Sequence, residues 1–492
     1  MFRQIFPTAS VSLGAVLCLA GAATAQCPPN FAALANLAAG STPGAAATAD
    51  LNRDGKLDLI AANAGGNSVS VLLGNGNGTF APAVNYAVGN NALSIAIADF
   101  NNDGRLDFAT ANDQSGNCSV RLGVGNGTFG ALATVSSGAF PQSVAAGDLN
   151  LDGRIDLVFS SGGPNAMFVA LGNGNGTFAP PVGYANGSNP KSVALADFNG
   201  DGRLDAAVTN ASGSIMILLG TGTGTFGAPA SFGVGSNPYH VTTGDFNLDG
   251  RIDLVASNLS GSNVSVLLGN GNGTFGAAAN SATAGSPFHG EVGDINDDGK
   301  QDILVACESS AVSVLLGNGN GTFQPASNST VSNTPRGLAL GDFNRDGRLD
   351  VAVGRGGGSD VGLLLQLATN KPTIAMHPAT QAIFSGASVA FSVSATSPSG
   401  GLTYQWRRNG TNLTNGGDIS GATGTVLTIN PADLSDNGSA YDCVVSNGCG
   451  STASNPAGLA VTWPCAADFN RSGLVSVQDI FDFLATYFAG CP

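Results

Sequence analysis

The chain has 492 residues, of which 10% are charged, with 72 glycines, 22 prolines and a formal charge of −15. That length gives room for two or three domains, and Gly plus Pro stays below the level of a disordered chain. The acidity excludes nucleic acid as a partner, because no basic patch is present to release counterions from phosphates.

Residues 1–25 read as a secretory signal peptide: Arg3, then the apolar run VSLGAVLCLAGAA (11–23), then Ala23-Thr24-Ala25 as a small-residue cleavage site. The apolar run is too short to span a bilayer, and no later stretch reaches about 18 apolar residues. The mature chain is expected to begin near Gln26 and to be secreted, extracellular or held at the cell surface, with no transmembrane span.

Over residues 26–368 one pattern, D-x-N-x-D-G-x-x-D, occurs seven times, its first aspartates at 50, 99, 148, 197, 245, 294 and 342, a period of 48 or 49. Around each copy stand an apolar lead-in such as SIAIAD, a second run such as LDLIAAN, and a third that closes on a turn such as GNGNGTF. Short β-branched and apolar runs bounded by Gly, Asn and Asp are strands. Four strands per repeat, seven times, predict an all-β seven-bladed β-propeller. Phe80 lies 19 residues before Asp99, and Phe31 stands the same distance before Asp50, whereas the seventh copy has no GNGNGTF. The N-terminal FAALANLA (31–38) is therefore expected to supply the last blade's outer strand and seal the ring, leaving no bare edge.

Three carboxylates within nine residues repel unless a cation sits among them. Oxygen side chains at positions 1, 3, 5 and 9, a carbonyl at 7 and a sharp-turn glycine at 6 suit calcium, with its six to eight oxygen ligands. The absence of Cys and His argues against zinc or copper. The expected ligands are Asp50, Asn52, Asp54 and Asp58 with the carbonyl of Lys56, and Asp99, Asn101, Asp103 and Asp107 with that of Arg105. They continue as Asp148, Asn150, Asp152 and Asp156 with Arg154, and Asp197, Asn199, Asp201 and Asp205 with Arg203. The fifth and sixth sets are Asp245, Asn247, Asp249 and Asp253 with Arg251, and Asp294, Asn296, Asp298 and Asp302 with Lys300. The seventh is Asp342, Asn344, Asp346 and Asp350 with Arg348. The first, fifth and ninth positions of these loops hold 21 of the 33 acidic residues, so the acidity is mostly a metal-binding reserve. The other reading, an Asx-rich turn, needs one or two such residues, not four at fixed offsets. Loops and blades together resemble the FG-GAP/VCBS repeat family, as in integrin α-subunit propellers. That resemblance implies calcium on one face and any ligand on the opposite face.

The GNGNGT turns also contain Asn-Gly-Thr, a glycosylation acceptor in a eukaryotic secreted protein; their regular placement favours a tight turn. On the face away from the loops, five residues before each first aspartate, stand Ala45, Ser94, Ser143, Ser192, His240, His289 and Gly337. Tyr239, Phe288 and Arg336 hold the neighbouring position in blades five, six and seven, and Glu308 is expected opposite Phe288 and His289. Aromatics, histidines, a carboxylate and an arginine at one rim suit a sugar or peptide. Drifted repeats with solvated loop side chains are the alternative.

Glycoside hydrolysis normally uses two carboxylates about 5–10 Å apart. Outside the metal loops blade six offers the chain's two glutamates, Glu291 and Glu308, and Glu291 stands where other blades have Ala or Thr, a place expected between blades. Some polysaccharide-lyase propellers resemble this one, with His289 as the implied base; no Ser-His-Asp arrangement is visible. The chain reads as an extracellular binding or adhesion module for polysaccharide or a surface protein. A polysaccharide-degrading enzyme of lyase type, or a purely structural surface protein, is the alternative.

After the linker LATNKPT, residues 372–463 read as a sandwich of short alternating strands that resembles bacterial immunoglobulin-like domains. Trp406 fits the buried tryptophan and Tyr441 the tyrosine corner, while Phe391 stands where a first cysteine is expected; Cys443 pairs with Cys449 if geometry permits. In the tail, 464–492, Asp468, Asn470, Ser472, the carbonyl of Leu474, Ser476 and Asp479 take EF-hand positions 1, 3, 5, 7, 9 and 12. A short helix follows. The tail resembles a single dockerin-type calcium repeat, which implies an eighth calcium site and a cohesin-like or envelope partner; a calcium-stapled cap without a partner is the alternative. Cys465 and Cys491 bracket it as a plausible clasp, and Cys27, Cys118 and Cys307 are left unassigned.

Overall fold

The computed structural model describes residues 29–136, 140–367, 371–397, 401–447, 449–462 and 476–488. The signal-peptide assignment, Asp468, Asn470, Ser472, Leu474, Cys465, Cys491 and Cys27 all lie outside the described residues.

Seven four-stranded antiparallel sheets follow one another, each with its strands in chain order except the last. Blade one runs Pro43–Ala49, Asp58–Asn63, Ser68–Leu72 and Val84–Ala87. Blade five, its counterpart across the ring, runs Pro238–Gly244, Asp253–Asn258, Asn263–Leu267 and Ala279–Ala282. The second strand of every blade is buried along its whole length, from its opening aspartate through an apolar middle, and the outer strand is mostly exposed. The inner strands pack side by side around a central channel, Pro335–Gly341 of blade seven against Pro43–Ala49 of blade one. Gly337 makes that seam possible: a Cβ there would lie 2.7 Å from the Cα of Ala45.

Blade seven takes its outer strand from the N-terminus, as the spacing predicts. Ala35–Ala38 pairs antiparallel with Asp360–Leu364, from Ala35 opposite Leu363 to Ala38 opposite Asp360. Beneath it Arg355, 1% exposed, donates from Nη2 to Asn36 Oδ1 at 2.9 Å and pairs with Asp360. A buried guanidinium without such acceptors would be strongly destabilising, so Asn36 and Asp360 bind the N-terminal strand to the last blade.

The glycine-rich connections are tight turns that also join blades. In the first, Gly76 and Gly78 take positive φ and Asn77 Oδ1 accepts from Thr79 N and Oγ1. Its Phe80 packs edge-on against Phe343 of blade seven at 5.6 Å, and Phe178 meets Phe100 and Phe275 meets Phe198 in the same way.

The C-terminal sandwich sets a six-stranded sheet, including Thr403–Arg408 and Ala440–Asn447, against the three-stranded sheet of Val389–Ser392, Val426–Ile429 and Ile419–Ser420. Trp406 is fully buried, and Phe391 stacks on Tyr441 at 4.9 Å. The expected Cys443–Cys449 bridge is corrected: Cys443 keeps a free thiol in this core, and Cys449 is disulfide-bonded elsewhere. Phe391 fills the volume that an inter-sheet disulfide would occupy. One helix, Val477–Phe488, is described in the tail. Asp479 Oδ2 accepts from both N and Oγ of Ser476, so these two expected calcium ligands form the N-terminal cap of that helix. Among the described residues no helix is long and apolar enough to cross a membrane.

Candidate functional site

The two faces of the ring are built differently. On one, each acidic loop is wound by its own backbone. Asp54 N donates to Asp50 Oδ1 and Asn52 Oδ1, Gly55 N to Asp50 Oδ2, and Lys56 N to Asp54 Oδ1. The sixth-position glycine has φ near +80° in every copy, the sharp turn the sequence predicts. The fourth position is also left-handed, with Arg53, Asn102, Leu151, Leu248, Asp297 and Arg345 at φ 56–62°. The seventh-position cation pairs with the fifth-position aspartate, as in Lys56–Asp54 at 3.0 Å and Arg348–Asp346 at 2.6 Å.

The ninth aspartate stands apart from the other three. Asp58 is fully buried, its Oδ2 accepting from Leu51 N and its Oδ1 from Gly74 N, at 2.9 and 2.8 Å. Asp107, Asp156, Asp205, Asp253, Asp302 and Asp350 repeat that pair of bonds. Each therefore ties its own loop to the end of the third strand. Burial, and then the charges of the first and fifth aspartates, push these carboxyls up, to about 6 at Asp107 and Asp350 and about 7 at Asp302. Among the described residues no three His, Cys, Asp or Glu side chains are drawn together as a metal site. The donor chemistry nevertheless fits a hard cation: three carboxylates and an amide oxygen per loop, of which the ninth-position carboxyl is driven toward its neutral form by burial first and by the other charges after it.

On the opposite face the inner strands each begin with a bulge. In blade five Pro238 pairs with Asn258 but His240 with Ser257, so Tyr239 is the extra residue; the same register shift recurs in all seven blades. A bulge re-aims its side chain, and six residues before each first aspartate it turns one side chain to the channel mouth. These residues form a continuous arc. Gln142 Nε2 donates to Asp113 Oδ1 at 2.6 Å, and Lys191 Nζ donates to Gln142 Oε1 at 3.4 Å while lying 5.5 Å from the Tyr239 ring. The Tyr239 and Phe288 rings pack together at 4.1 Å with a 36° tilt, the Arg336 guanidinium lies 5.4 Å from Phe288, and Arg336 Nε donates to Glu308 Oε1 at 2.8 Å. Tyr239, Phe288, Arg336 and Glu308 thus meet as the sequence suggests. Gln142 and Lys191 complete the arc and escaped the sequence reading, although each directly follows a strand-opening proline, as Tyr239 and Phe288 do.

One residue further along, the side chains brace blade to blade. Ser94 Oγ accepts from Val144 N, Ser143 Oγ from Val193 N, and His240 Nδ1 from Gly290 N. His240 therefore does what a serine does elsewhere in the ring, and its ring lies 3.8 Å from that of His289. His289 Nδ1 is buried without a hydrogen-bond partner, and its Nε2 lies 3.9 Å from Glu291 Oε1. Glu291, expected between blades, also lines the channel, a cavity of about 490 Å³. Burial pushes its carboxyl up to about 7, while burial lowers His289 to about 4 and holds His240 well below the usual imidazole range. Both partners of the 3.9 Å contact are thus driven toward neutrality.

The FG-GAP-like repeat model matches residues 50–110, 99–159, 148–208, 197–256, 245–305 and 294–353. Each of these six windows opens on one acidic loop and includes the next, so together they take in all seven. The chain belongs to the FG-GAP-like repeat family. The immunoglobulin domain model matches residues 371–447. Among solved structures, a functionally unknown protein from Desulfotomaculum acetoxidans DSM 771 is 14% identical, covering 62% of this chain and 98% of its own, with a TM-score of 0.47. The titin M3 domain is 26% identical over 19% of this chain and 98% of its own, with a TM-score of 0.17. No curated protein matches the chain.

Proposed function

We propose that this chain is a secreted or surface-attached, calcium-stabilised binding module. In this reading the seven-bladed propeller presents a polysaccharide site at the channel mouth, and the immunoglobulin-like domain carries it. The observation behind the proposal is the contrast of chemistry between faces. The loops repeat one arrangement seven times, whereas Gln142, Lys191, Tyr239, Phe288 and Arg336 put a different side chain on each blade around one opening. Calcium would be held by the first, third, fifth and ninth side chains and the seventh carbonyl of each loop. Its charge would offset the carboxylates and lock the first two strands of each blade together.

Binding is favoured over glycoside hydrolysis because that chemistry uses paired carboxyls. Here Glu308 is engaged by Arg336 and Asp113 by Gln142 and Asn91, which leaves Glu291 as a single carboxyl in the channel. A glycan-array screen of the intact protein, run with calcium and with a chelator, tests the reading. Calcium-dependent binding to a defined set of glycans is the expected result; a folded, calcium-loaded protein that retains none of them would overturn it.

A further inference from the structure

The mouth residues suggest a sugar platform, but their geometry argues for a different mode of capture. Tyr239 and Phe288 cover one face of each other, and Lys191 and Arg336 lie over the rings from either side, at 5.5 and 5.4 Å. With the two rings closed on each other at 4.1 Å and a cation over each, no aromatic face of this pair is left for a pyranose ring. Both cations are engaged as well, Arg336 with Glu308 and Lys191 with Gln142, which in turn holds Asp113. The rim is therefore a finished wall.

The unused chemistry lies deeper. The cavity is lined from Tyr239 and Phe288 at the rim down to Thr48, Val292 and Leu340. That is four residue steps along the inner strands, or roughly 13 Å. Its walls are inner strands on every side, so a linear ligand can enter only along the ring axis. Below the rim residues Gln142, Lys191, Tyr239 and Phe288 the lining is mostly small or aliphatic, apart from His240, whose Nδ1 accepts from Gly290 N, and two residues of blade six: His289, whose buried Nδ1 has no partner, and Glu291, whose side chain keeps 34% of its surface open to the cavity. Two of the chain's three histidines and one of its two glutamates meet here, where most other blades carry serine or alanine. An imidazole acceptor and a carboxyl that both accepts and donates are the complement of sugar hydroxyls. No cation stands at the depth of His289 and Glu291, so the carboxylate of an acidic sugar would be buried there unpaired, which disfavours an acidic sugar.

We infer that the channel captures the end of a neutral glycan chain, inserted along the ring axis and held by His289 and Glu291, with the Tyr239–Phe288 pair as its collar. The inference rests on the polysaccharide reading above and narrows it to chain termini.

The test is calorimetric titration of the intact, calcium-loaded protein with cello-, malto-, xylo- and galacturono-oligosaccharides of one to six units. For end capture, affinity for one neutral series should level off beyond about two units, because further residues lie outside the cavity. Galacturonides should bind at least tenfold more weakly. Glu291→Ala and His289→Ser introduce residues that other blades already carry at those positions, as in Ala47 and Ser94, and each should weaken binding tenfold or more. Affinity that climbs tenfold or more between two and six units would overturn end capture, as would binding indifferent to both substitutions; either result would leave the polysaccharide reading intact. No binding in any series would overturn both. The length series uses the unaltered protein, so it decides the question even if a variant folds poorly.

Discussion

The loop face and the mouth face of the ring are made from the two ends of the same strands, yet they obey different rules. At the loop end, the ninth aspartate makes the same two backbone hydrogen bonds in every blade, from Asp58 to Asp350. At the mouth end the backbone repeats, with its bulge in every inner strand, but the exposed side chain runs from Gly44 to Arg336. A scaffold repeats whatever its hydrogen bonding requires. It is free to vary where a side chain leaves the sheet and satisfies no backbone group.

The sharpest way to break this contrast is to remove the cation proposed for the loop face. Each site loaded a hundredfold above its Kd would contribute about 2.7 kcal/mol, so chelation should lower the unfolding temperature by tens of degrees, as differential scanning calorimetry would show. Next comes Asp205→Ala, which strands the N–H groups of Phe198 and Gly220 in the interior. A loss of about 3–5 kcal/mol is expected in urea unfolding.

At the mouth, effects on stability should be smaller and dependent on pH. The Glu291 carboxyl titrates at about 7 in the folded protein against 4.5 in the unfolded chain. The folded state therefore holds the extra proton between these values, and stability falls as pH rises through that window. The groups facing this carboxyl are His289 and, beyond it, His240, both neutral above pH 6.5. Glu291→Gln should thus gain stability relative to the natural protein as pH goes from 5 to 8. The gain should be about 1–2 kcal/mol once water in the channel is allowed for. The smallest effect belongs to Leu248, exposed and left-handed at φ 60°. Leu248→Asn, which tolerates that conformation, should stabilise by about 0.5–1 kcal/mol in the same unfolding assay.

Much of the scaffold was legible because its signals are local or periodic. The loop pattern, the glycine turns and the 19-residue spacing that places Phe31 as a seventh copy all lie in short stretches of chain, and the sheets follow from them. The second role of the ninth aspartate was not legible, since its partner Gly74 lies 16 residues downstream of Asp58 and the bond exists only in the folded blade. The mouth was half legible. Tyr239, Phe288 and Arg336 stand out by residue type, whereas Gln142 and Lys191 are ordinary polar residues until the register shift turns them onto the same rim. His240 looked like a ligand group and is first a brace between blades, bonded to Gly290 N. Cys443 lost its expected partner because Cys449 is disulfide-bonded elsewhere, which leaves the Cys443 thiol free in the sandwich core.

The most direct test of the division of labour is to measure thermal unfolding and glycan binding side by side on the intact, calcium-loaded protein, comparing Asp205→Asn with Glu291→Ala. The loop variant should melt several degrees lower yet bind with unchanged affinity below its transition; the mouth variant should keep its melting temperature within a few degrees and lose binding at least tenfold. A folded loop variant that no longer binds, or a mouth variant that binds as well as the natural protein, would contradict the account.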